Sequence, residues 1–346
     1  MGRQPAGRPR TVRRVRTEVA HAGGSPVVKG AHALLVGGAG FVGGWTARAF
    51  LGAGWRVTVV DPSAAIAGRL PDGCTSVARP AHADVLNEIL TVDPPQVAVG
   101  LGAFGSGGKG LLAAADRDPG TAIAVNAGGL ATLLDAAAMA GVRKVLWTSS
   151  TVVYGRTVDG HPAPARESLP ADPDPAYGLS KQLAETTAEW FRAHRPVEPT
   201  GLRLPLVLGP GLHYRGAAAE FLDVMMAAVA AGAVPARQAA DFRSDVLYVK
   251  DAARLLVSLA EFPGDLAPVY NAPSFSLQLS EFVRHLRAET GKIVTLPRVA
   301  EADTGPNWRT LSDAQLRADT NFSPAFDVVA MISDWLGEAS EGTPIA

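Results

Sequence analysis

The stretch ALLVGGAGFVG, residues 33–43, decides the fold of this 346-residue chain. An apolar run of strand type leads directly into three glycines, Gly37, Gly40 and Gly43, and a helix-like segment follows them. In such a turn the first glycine allows the tight change of direction, and the second lets the backbone approach a pyrophosphate. The third allows the following helix to pack closely. The amide N–H groups at the start of that helix are then free to bind phosphate oxygens.

A second apolar run, residues 56–60, ends in Asp61, which lies 18 residues after Gly43. In dinucleotide-binding proteins an acidic side chain at this place accepts hydrogen bonds from the adenosine ribose. The order of strand, glycines, helix, strand and terminal acid therefore predicts a bound dinucleotide. Because the charge of Asp61 would repel a 2′-phosphate, NAD is the predicted cofactor. A purely local role, as a helix-capping residue, is the alternative interpretation of Asp61. The contacts expected from the glycine turn itself are Gly37, Gly40, Phe41 and Val42.

Strand-like and helix-like segments alternate from residue 30 onward. Strands are predicted at 33–37, 56–60, 97–101, 144–149, 201–208 and 246–249. This alternation predicts an α/β fold, a Rossmann-type doubly wound parallel sheet with helices on both faces. The strand at 97–101 runs into small residues, which leave room for a cofactor lying across the strand ends. Leu101 and Ala103 are therefore expected cofactor contacts.

The chain divides into three regions on this pattern. Residues 1–29 are expected to form a disordered basic tail, since they combine glycine, proline and arginine without an apolar core. A nucleotide-binding domain is predicted over 30–205, and it is expected to receive 245–271 as well, with the last predicted strand returning to the main sheet. The segments 206–244 and 272–340 are predicted to build a smaller, mainly helical C-terminal lobe that binds the substrate.

The composition narrows the classes of function. The chain is 47% hydrophobic, enough for a sizeable core, and it has no run of about 18 apolar residues, so no membrane span is predicted. Beyond residue 30 it carries 25 basic and 32 acidic side chains, and an acidic body argues against nucleic-acid binding. The single cysteine, Cys74, fits a reducing compartment and hence a cytoplasmic location. The seven histidines lack the spacing of metal ligands, so no metal is predicted.

The catalytic candidates come from two further segments. One apolar run ends in hydroxyl residues at the carboxyl edge of the sheet, which makes Ser150 a candidate to bind a substrate oxygen. Further on, Tyr177 and Lys181 are four residues apart and share one face of a helix, for which Asp174 and Pro175 are the predicted N-cap and first-turn proline. A tyrosine hydroxyl has a pKa of about 10, and a neighbouring ammonium group stabilises its anion, so that it can act as a base nearer neutral pH.

Taken together, the chain resembles the extended short-chain dehydrogenase/reductases, and among them the NAD-dependent epimerase/dehydratase family. The resemblance covers about residues 32–338. It is carried by the glycine fingerprint at 37–43 and by Asp84-Val85, Asn126, residues 149–155, Leu202-Arg203, residues 209–211, residues 246–251 and Tyr270-Asn271. It implies that Asp84 and Val85 contact the adenine. It also implies that Asn126, opening a helix, has the family's structural role beside the cofactor.

The same resemblance implies roles for the catalytic candidates. Tyr177 would be the acid/base, Lys181 would bind the nicotinamide ribose and lower the pKa of the tyrosine, and Ser150 would hydrogen-bond the substrate oxygen. Hydride would pass between the substrate carbon and the nicotinamide, while the protein orients and polarises the reacting groups. A homodimer is expected by analogy, through a helix pair that includes the Tyr177 helix.

Three places depart from the family pattern. Thr151 and Val152 follow the catalytic hydroxyl where the family's dehydratases have Asp-Glu, which argues against a 4,6-dehydratase. Leu206 stands where many nucleotide-sugar enzymes have an asparagine. Ser244 stands where an arginine is usual, although Arg243 is adjacent. The loss of these donors weakens the case for a UDP-sugar diphosphate.

The leading hypothesis is an NAD-dependent oxidoreductase that acts on a secondary alcohol or ketone of a sugar or sugar-like substrate, as an epimerase or a dehydrogenase. The alternative is a reductase or dehydrogenase of a non-sugar ketone or hydroxy compound. A third interpretation is a non-catalytic dinucleotide-binding regulator. Such proteins usually lose the tyrosine or the lysine, whereas Tyr177 and Lys181 are both present.

Overall fold

The computed structural model describes residues 30–63, 70–105, 110–158, 164–213, 216, 218–229, 242–291 and 311–341. The basic tail predicted at 1–29 lies outside these ranges. Seven strands build the central sheet: β1 (His32–Val36), β2 (Arg56–Val60), β3 (Cys74–Val77), β4 (Val97–Gly100), β5 (Lys144–Ser150), β6 (Glu198–Leu204) and β9 (Val269–Asn271).

The strand order of the central sheet is β3-β2-β1-β4-β5-β6-β9, and every neighbouring pair is parallel. From β1 the chain adds β2 and β3 on one side of the sheet, and it then adds β4, β5 and β6 on the other side. The direction in which strands are added therefore reverses between β1 and β4. In such sheets ligands bind outside the carboxyl ends of the strands at this reversal. The Rossmann-type doubly wound fold predicted from the sequence is therefore confirmed.

The edge strand β3 is not predicted by the sequence pattern. Its four residues, Cys74–Val77, are half-buried or exposed, because they pair with β2 on one side only. The strand therefore lacks the continuous apolar run that marks β1, β2 and β4, whose residues are buried on both faces.

The described residues contain the following helices: α1 (Phe41–Gly52), α2 (Ala83–Val92), α3 (Leu111–Arg117), α4 (Pro119–Ile123), α5 (Gly129–Met139), α6 (Ala176–His194), α7 (Ala219–Val229), α8 (Val249–Glu261), α9 (Leu279–Thr290), α10 (Ala314–Thr320) and α11 (Val328–Ser340). On one face of the central sheet α1 packs against α8, and Phe50 lies in a buried core with Leu35. On the other face α2, α5 and α6 cover the sheet, where Leu133 lies in a core with Leu34. Both faces are thus covered, as a parallel sheet requires.

A second, three-stranded sheet corrects two expectations from the sequence. It consists of β7 (Leu206–Leu208), β8 (Arg243–Tyr248) and β10 (Phe275–Gln278), in the order β10-β8-β7. The single strand expected at 201–208 is two strands, because Pro205 has no N–H with which to continue the ladder.

The strand expected at 246–249 to return to the central sheet does not do so. It is β8, which pairs in parallel with β7 and antiparallel with β10. The segments that do return are α8, which packs on α1, and β9, which pairs with β6.

The C-terminal region has a core of its own, formed by the second sheet and the helices α7, α9 and α11. Phe221 and Phe282 meet edge to face with ring centroids 5.3 Å apart, and the fully buried Trp335 lies in the same cluster. The helical C-terminal region predicted from the sequence is therefore present, with a small sheet added to it.

One long helix joins α4 and α5 through a π-helical turn at Ala124–Gly128. Together these segments run from Pro119 to Met139, 21 residues that by length and composition alone could span a bilayer. Polar residues and glycines interrupt its apolar residues, so the sequence pattern does not indicate it. In this fold, Leu133 and Leu134 on this helix are buried in the core beneath the central sheet, and a packed core helix passes the same test.

Candidate active site

A cavity of about 1470 Å³ opens at the carboxyl edge of the central sheet, where the strand order reverses. Its walls include the glycine turn, the ends of β4 and β5, the start of α6 and part of the second sheet. Ordinary small-molecule pockets have volumes of roughly 300–1,000 Å³. This cavity is therefore large enough for a dinucleotide and a second ligand.

The glycine turn is shaped by close backbone contacts. Gly37 has φ +80°, and a Cβ built on it would lie 2.5 Å from the backbone nitrogen of Gly102. A Cβ on Gly43 would lie 2.6 Å from the Cα of Gly38, so the third glycine packs the helix against the turn itself. A Cβ on Gly40 would make only an ordinary van der Waals contact, with Gly37 O at 3.5 Å. The protein itself therefore does not require a glycine at position 40, as expected where a pyrophosphate rather than a neighbouring residue approaches the backbone.

The N-terminus of α1 lies beside this turn. Gly40 is the N-cap of α1 and has no side chain with which to cap it, and the first turn of the helix lines the cavity, so the positive end of the helix dipole faces an anion bound there. Phe41 and Val42, both expected from the sequence, line the cavity here.

Asp61 lies at the end of β2 and lines the cavity as expected. Its Oδ2 accepts a hydrogen bond from Ala39 N (3.1 Å), and its Oδ1 accepts one from Ser63 N (2.9 Å). The local capping role and the cofactor role are thus compatible, because the same carboxylate orders both turns and borders the cavity. This geometry fits a carboxylate that meets the hydroxyls of an adenosine ribose.

The turn after β4 also borders the cavity, and Leu101 and Ala103 line it as expected. Asn126 holds this turn in place: its Oδ1 accepts from Phe104 N (2.8 Å) and its Nδ2 donates to Ser180 Oγ (2.8 Å). The expectation that Asn126 opens a helix is wrong. It lies inside the long helix, at the π-helical turn, a feature that periodicity does not reveal.

Asp84 and Val85 are not brought to the cavity. Asp84 stands in the first turn of α2 and pairs with Arg79 at the surface, and Val85 is buried in the core beneath the sheet. The cavity wall is formed instead by the preceding residues, including Ala81 and His82. The residues that border the cavity therefore precede α2, whereas Asp84 and Val85 lie within it. The Asp-Val dipeptide alone does not reveal where this helix begins.

Ser150, Tyr177 and Lys181 line one side of the cavity together. Ser150 ends β5, and its Oγ accepts a hydrogen bond from Val152 N (3.3 Å). Lys181 Nζ donates to Thr148 O (2.8 Å) and lies 5.7 Å from the centre of the Tyr177 ring. The strand end and the helix face are thus joined by a direct hydrogen bond.

The start of α6 differs from the prediction. The helix begins at Ala176 with Pro175 as its N-cap, so Asp174 is not the cap. The first N–H group, Ala176 N, donates instead to Asp116 Oδ1 (2.8 Å) on α3. A cap that comes from 60 residues earlier in the chain cannot be read from local sequence.

Lys181 is wholly enclosed, and burial lowers its pKa to about 8 because the charged form loses its hydration. The nearby carboxylate of Glu185, one turn further along α6, acts in the opposite direction and raises that pKa. Glu185 is itself held by two partners. Its Oε1 accepts from Ser149 Oγ (2.6 Å), and Arg203 donates to both of its oxygens (2.9 and 2.7 Å).

This buried network extends beyond the residues that the sequence singled out for catalysis. The guanidinium of Arg203 lies 4.7 Å from the ring centre of Tyr154, whose hydroxyl donates to Asn271 Oδ1 (2.7 Å). Asn271 in turn donates through Nδ2 to Ser312 O (3.1 Å). The sequence motifs do not single out Glu185. Its position four residues after Lys181 on the same helix is nevertheless a signal that the two side chains can interact.

The cavity changes character where it meets the second sheet. There its wall is mainly apolar, although Ser244 and Asp245 of β8 also contribute to it. We use the name lobe wall for the following lining residues: Leu204, Pro205, Leu206, Val207, Ala218, Ser244, Asp245 and Leu311. The part of the chain that the structure describes contains no cluster of three or more His, Cys, Asp or Glu side chains that could hold a metal ion.

The chemistry available at this site is proton transfer beside a dinucleotide. A buried ammonium near a tyrosine lowers the cost of the tyrosinate, and a serine at the strand end can orient a substrate oxygen. Fold and site together define a short-chain dehydrogenase/reductase.

The profile of the NAD dependent epimerase/dehydratase family matches residues 33–272, and the chain belongs to this family. Membership confirms the predicted class of enzyme and NAD as its cofactor.

Individual relatives are more distant. UDP-glucose 4-epimerase of Lacticaseibacillus casei is 27% identical over 161 residues, and the match spans 45% of this chain and 45% of that epimerase. The structure of UDP-glucose 4-epimerase from Thermotoga maritima with UDP-glucose is 22% identical, with TM-score 0.75, and covers 90% of this chain and 99% of its own. The complex of UDP-glucose 4-epimerase from Thermus thermophilus with NAD gives the same identity, coverage and TM-score. At such identities the structures show a shared fold.

Replacing Gly37 with Ala should weaken NAD binding at least tenfold. The added Cβ would press on the Gly102 backbone, and φ +80° is costly for an L-residue, by about 1–2 kcal/mol. Gly52→Ala is the matched control, since nothing described lies within 4 Å of its Cβ position at the end of α1. NAD affinity is measured by calorimetry, with thermal unfolding as a check on folding. Unchanged affinity in Gly37→Ala would contradict this account of the turn.

Replacing Glu185 with Gln should lower the pKa of Lys181, because the carboxylate that raises it is gone. The ammonium form of Lys181, present below a pKa of about 8 in the native protein, would then be lost at lower pH. The titration is followed by NMR on ¹³Cε-labelled lysine; the chain has only six lysines, and Lys181→Arg assigns the signal.

The control for this titration is Glu189→Gln, an exposed position one turn further along the same helix. It should leave the Lys181 titration unchanged. Because the substitution of Glu185 leaves the buried Arg203 without the carboxylate charge that pairs with it, it should also cost about 3–5 kcal/mol of unfolding free energy. A Lys181 pKa that does not fall in Glu185→Gln refutes the electrostatic role of Glu185.

Proposed function

We propose that this protein interconverts a secondary alcohol and its ketone on a sugar or sugar-like substrate, as an NAD-dependent epimerase or dehydrogenase. One observation carries the proposal: Ser150, Tyr177 and Lys181 border the same cavity as the glycine turn. The epimerases to which the chain is similar act on UDP-glucose by their names, which supports a sugar-like substrate.

The residues that would hold the cofactor follow from the shape of the cavity. The N-terminus of α1, behind Gly40, would bind the pyrophosphate, Asp61 the adenosine ribose and Lys181 the nicotinamide ribose. Leu101 and Ala103 would border the cofactor where it crosses the strand ends. When bound, NAD supplies the acceptor or donor for the hydrogen on the substrate carbon.

Tyr177 would take the hydroxyl proton of the substrate alcohol and return it in the reverse direction. A tyrosine with an unperturbed pKa of about 10 needs roughly 4 kcal/mol of differential stabilisation to titrate near pH 7. The buried ammonium of Lys181, 5.7 Å from the ring centre, supports that stabilisation, since charges interact strongly where water is excluded. Ser150 would hold the substrate oxygen at the tyrosine.

A non-sugar ketone or hydroxy compound is the second candidate substrate. The mainly apolar lobe wall, which includes Leu206, favours it. The cofactor content of the purified protein separates the two modes of catalysis. Nearly stoichiometric NAD released by heating indicates an epimerase that restores its cofactor in each turnover. An empty protein that binds NAD reversibly indicates a dehydrogenase.

Tyr177→Phe should abolish turnover while NAD affinity stays within about twofold of the native value, because the variant loses only the hydroxyl that moves the proton. Activity is followed as NADH absorbance, and as product analysis for epimerisation, with a panel of sugars, nucleotide sugars and simple secondary alcohols. Tyr270→Phe serves as the control, since that hydroxyl pairs with Asp319 away from the cavity. Full activity in Tyr177→Phe would remove this residue from the mechanism, and NAD binding without any Tyr177-dependent redox reaction would favour a regulator.

We also propose that the protein forms a homodimer through α6 and the helix running from Pro119 to Met139. These neighbouring helices expose large apolar side chains outward. On α6 these are Leu179, Leu183 and Trp190, and on the longer helix they are Val125 and Met139. Leu179 and Leu183 are one helical turn apart and Trp190 follows two turns later, so the three form a stripe on α6 that a second copy would cover.

Leu183→Glu should shift the protein toward a monomer, because a charge would be buried in the apolar interface. Light scattering after size-exclusion chromatography gives the mass over a range of concentrations. Met226→Glu, an equally exposed apolar residue on α7, is the matched control. A native protein that is monomeric at all concentrations, or a Leu183→Glu variant that stays dimeric, contradicts this interface.

A cytoplasmic location belongs to the same proposal. It is supported by the chain's single cysteine, which needs no oxidising compartment for folding. Fractionation of cells that make the full chain tests it, and recovery in the membrane or secreted fraction would contradict it.

A further inference from the structure

A second hydroxyl residue borders the cavity directly beside Ser150. Thr151 opens the 3₁₀-helical turn that follows β5, and both residues line the cavity. The hydroxyl of Ser149, one position earlier, is instead engaged by Glu185. Because the strand ends at Ser150, the alternation of side chains across the sheet does not continue at Thr151. Two consecutive hydroxyl residues therefore border the same space.

The backbone on both sides of Thr151 is held beside the helix that carries Tyr177. Val152 N donates to Ser150 Oγ (3.3 Å), which ties the turn to the strand end. Val152 also packs against the small apolar cluster that contains Tyr177. A Cβ built on Gly178 would lie 2.8 Å from Val152 O, so the turn and α6 are in close contact. Thr151 is consequently fixed next to the catalytic candidates.

The hydroxyl of Thr151 is available to a ligand. The residue is half-buried, and its hydroxyl neither bonds to a described residue nor belongs to their fully enclosed polar atoms. A threonine hydroxyl can donate one hydrogen bond and accept others, so it suits a hydroxyl or a carbonyl oxygen. The hydroxyl of Ser150 accepts from Val152 N and keeps its proton for the reacting oxygen. The two side chains can therefore bind two different oxygens.

We infer that Thr151 binds the oxygen on the carbon next to the reacting carbon, so that the enzyme selects vicinal diols and α-hydroxy ketones over simple secondary alcohols. Oxygens on neighbouring carbons lie about one hydrogen-bond length apart, which suits hydroxyl groups on consecutive residues. The inference rests on the proposed function, which places Ser150 at the reacting oxygen. It narrows both candidate substrates, sugar and non-sugar, to one chemical class.

Three small alcohols that differ by one hydroxyl group test this selection: cyclohexanol and the cis and trans isomers of 1,2-cyclohexanediol. Each is given to the full-length protein with NAD, and NADH, free or bound, is followed by its absorbance. The native protein should show a kcat/KM for one of the diols about fivefold or more above that for cyclohexanol, the effect of one neutral hydrogen bond. A kcat/KM for cyclohexanol equal to or above those of both diols overturns the inference.

Thr151→Val tests the named residue, because it removes the hydroxyl and keeps the branched shape of the side chain. It should lower kcat/KM about fivefold or more for every vicinal diol or sugar that the native protein oxidises, and leave cyclohexanol unchanged. Thr151→Ser, which keeps the hydroxyl, should retain the preference. Thr186→Val, at an exposed position on α6 outside the cavity, is the matched control. A preference for diols that persists in Thr151→Val refutes the role of Thr151.

The experiment separates a failure of the inference from a failure of the proposed function. Tyr177-dependent oxidation of simple secondary alcohols as efficiently as of diols and sugars would overturn the selection and leave the oxidoreductase function intact. The same holds if Thr151→Val oxidises the preferred substrate as efficiently as the native protein. Absence of Tyr177-dependent turnover from every sugar and alcohol tested would overturn the proposed function, and the inference with it.

Discussion

The buried ion pair between Glu185 and Arg203 is the interaction on which the geometry of the active site depends. It joins α6, which presents Tyr177 and Lys181, to β6, and through Ser149 it also fixes the end of β5. Replacing such a pair by apolar side chains is often neutral for stability. Its value here is positional, because the two elements that carry the catalytic candidates, β5 and α6, meet β6 at one carboxylate.

The electrostatics of the site follow from the same pair. Glu185 is neutralised by Arg203, yet it still favours the charged form of Lys181, which burial disfavours. A lysine whose pKa is about 8 remains mostly protonated at neutral pH, although its ammonium group is out of contact with water. The site thus keeps a positive charge beside Tyr177 without exposing it to solvent, which would screen it.

Those parts of the site that depend on local spacing could be predicted from the sequence. The glycine turn, Asp61 and the Tyr177–Lys181 pair are set by a few adjacent residues, and all of them line the cavity. Features that depend on distant partners could not be predicted. Asp116 caps α6 from another helix, and the assignment of β8 to a second sheet depends on its partners rather than on its own apolar pattern.

The last strand of the central sheet comes from a late segment of the chain. Its seventh strand, β9, begins at Val269, and α8, which covers α1, begins at Val249. Asn271 then connects Tyr154, which lines the cavity, to the carbonyl of Ser312. During synthesis on the ribosome the nucleotide-binding half therefore cannot complete its edge or cover its first helix until residues 206–244, the first segment of the C-terminal region, have emerged. The two halves are consequently not separable modules, and cutting the chain between them would leave an open strand edge and an uncovered apolar helix.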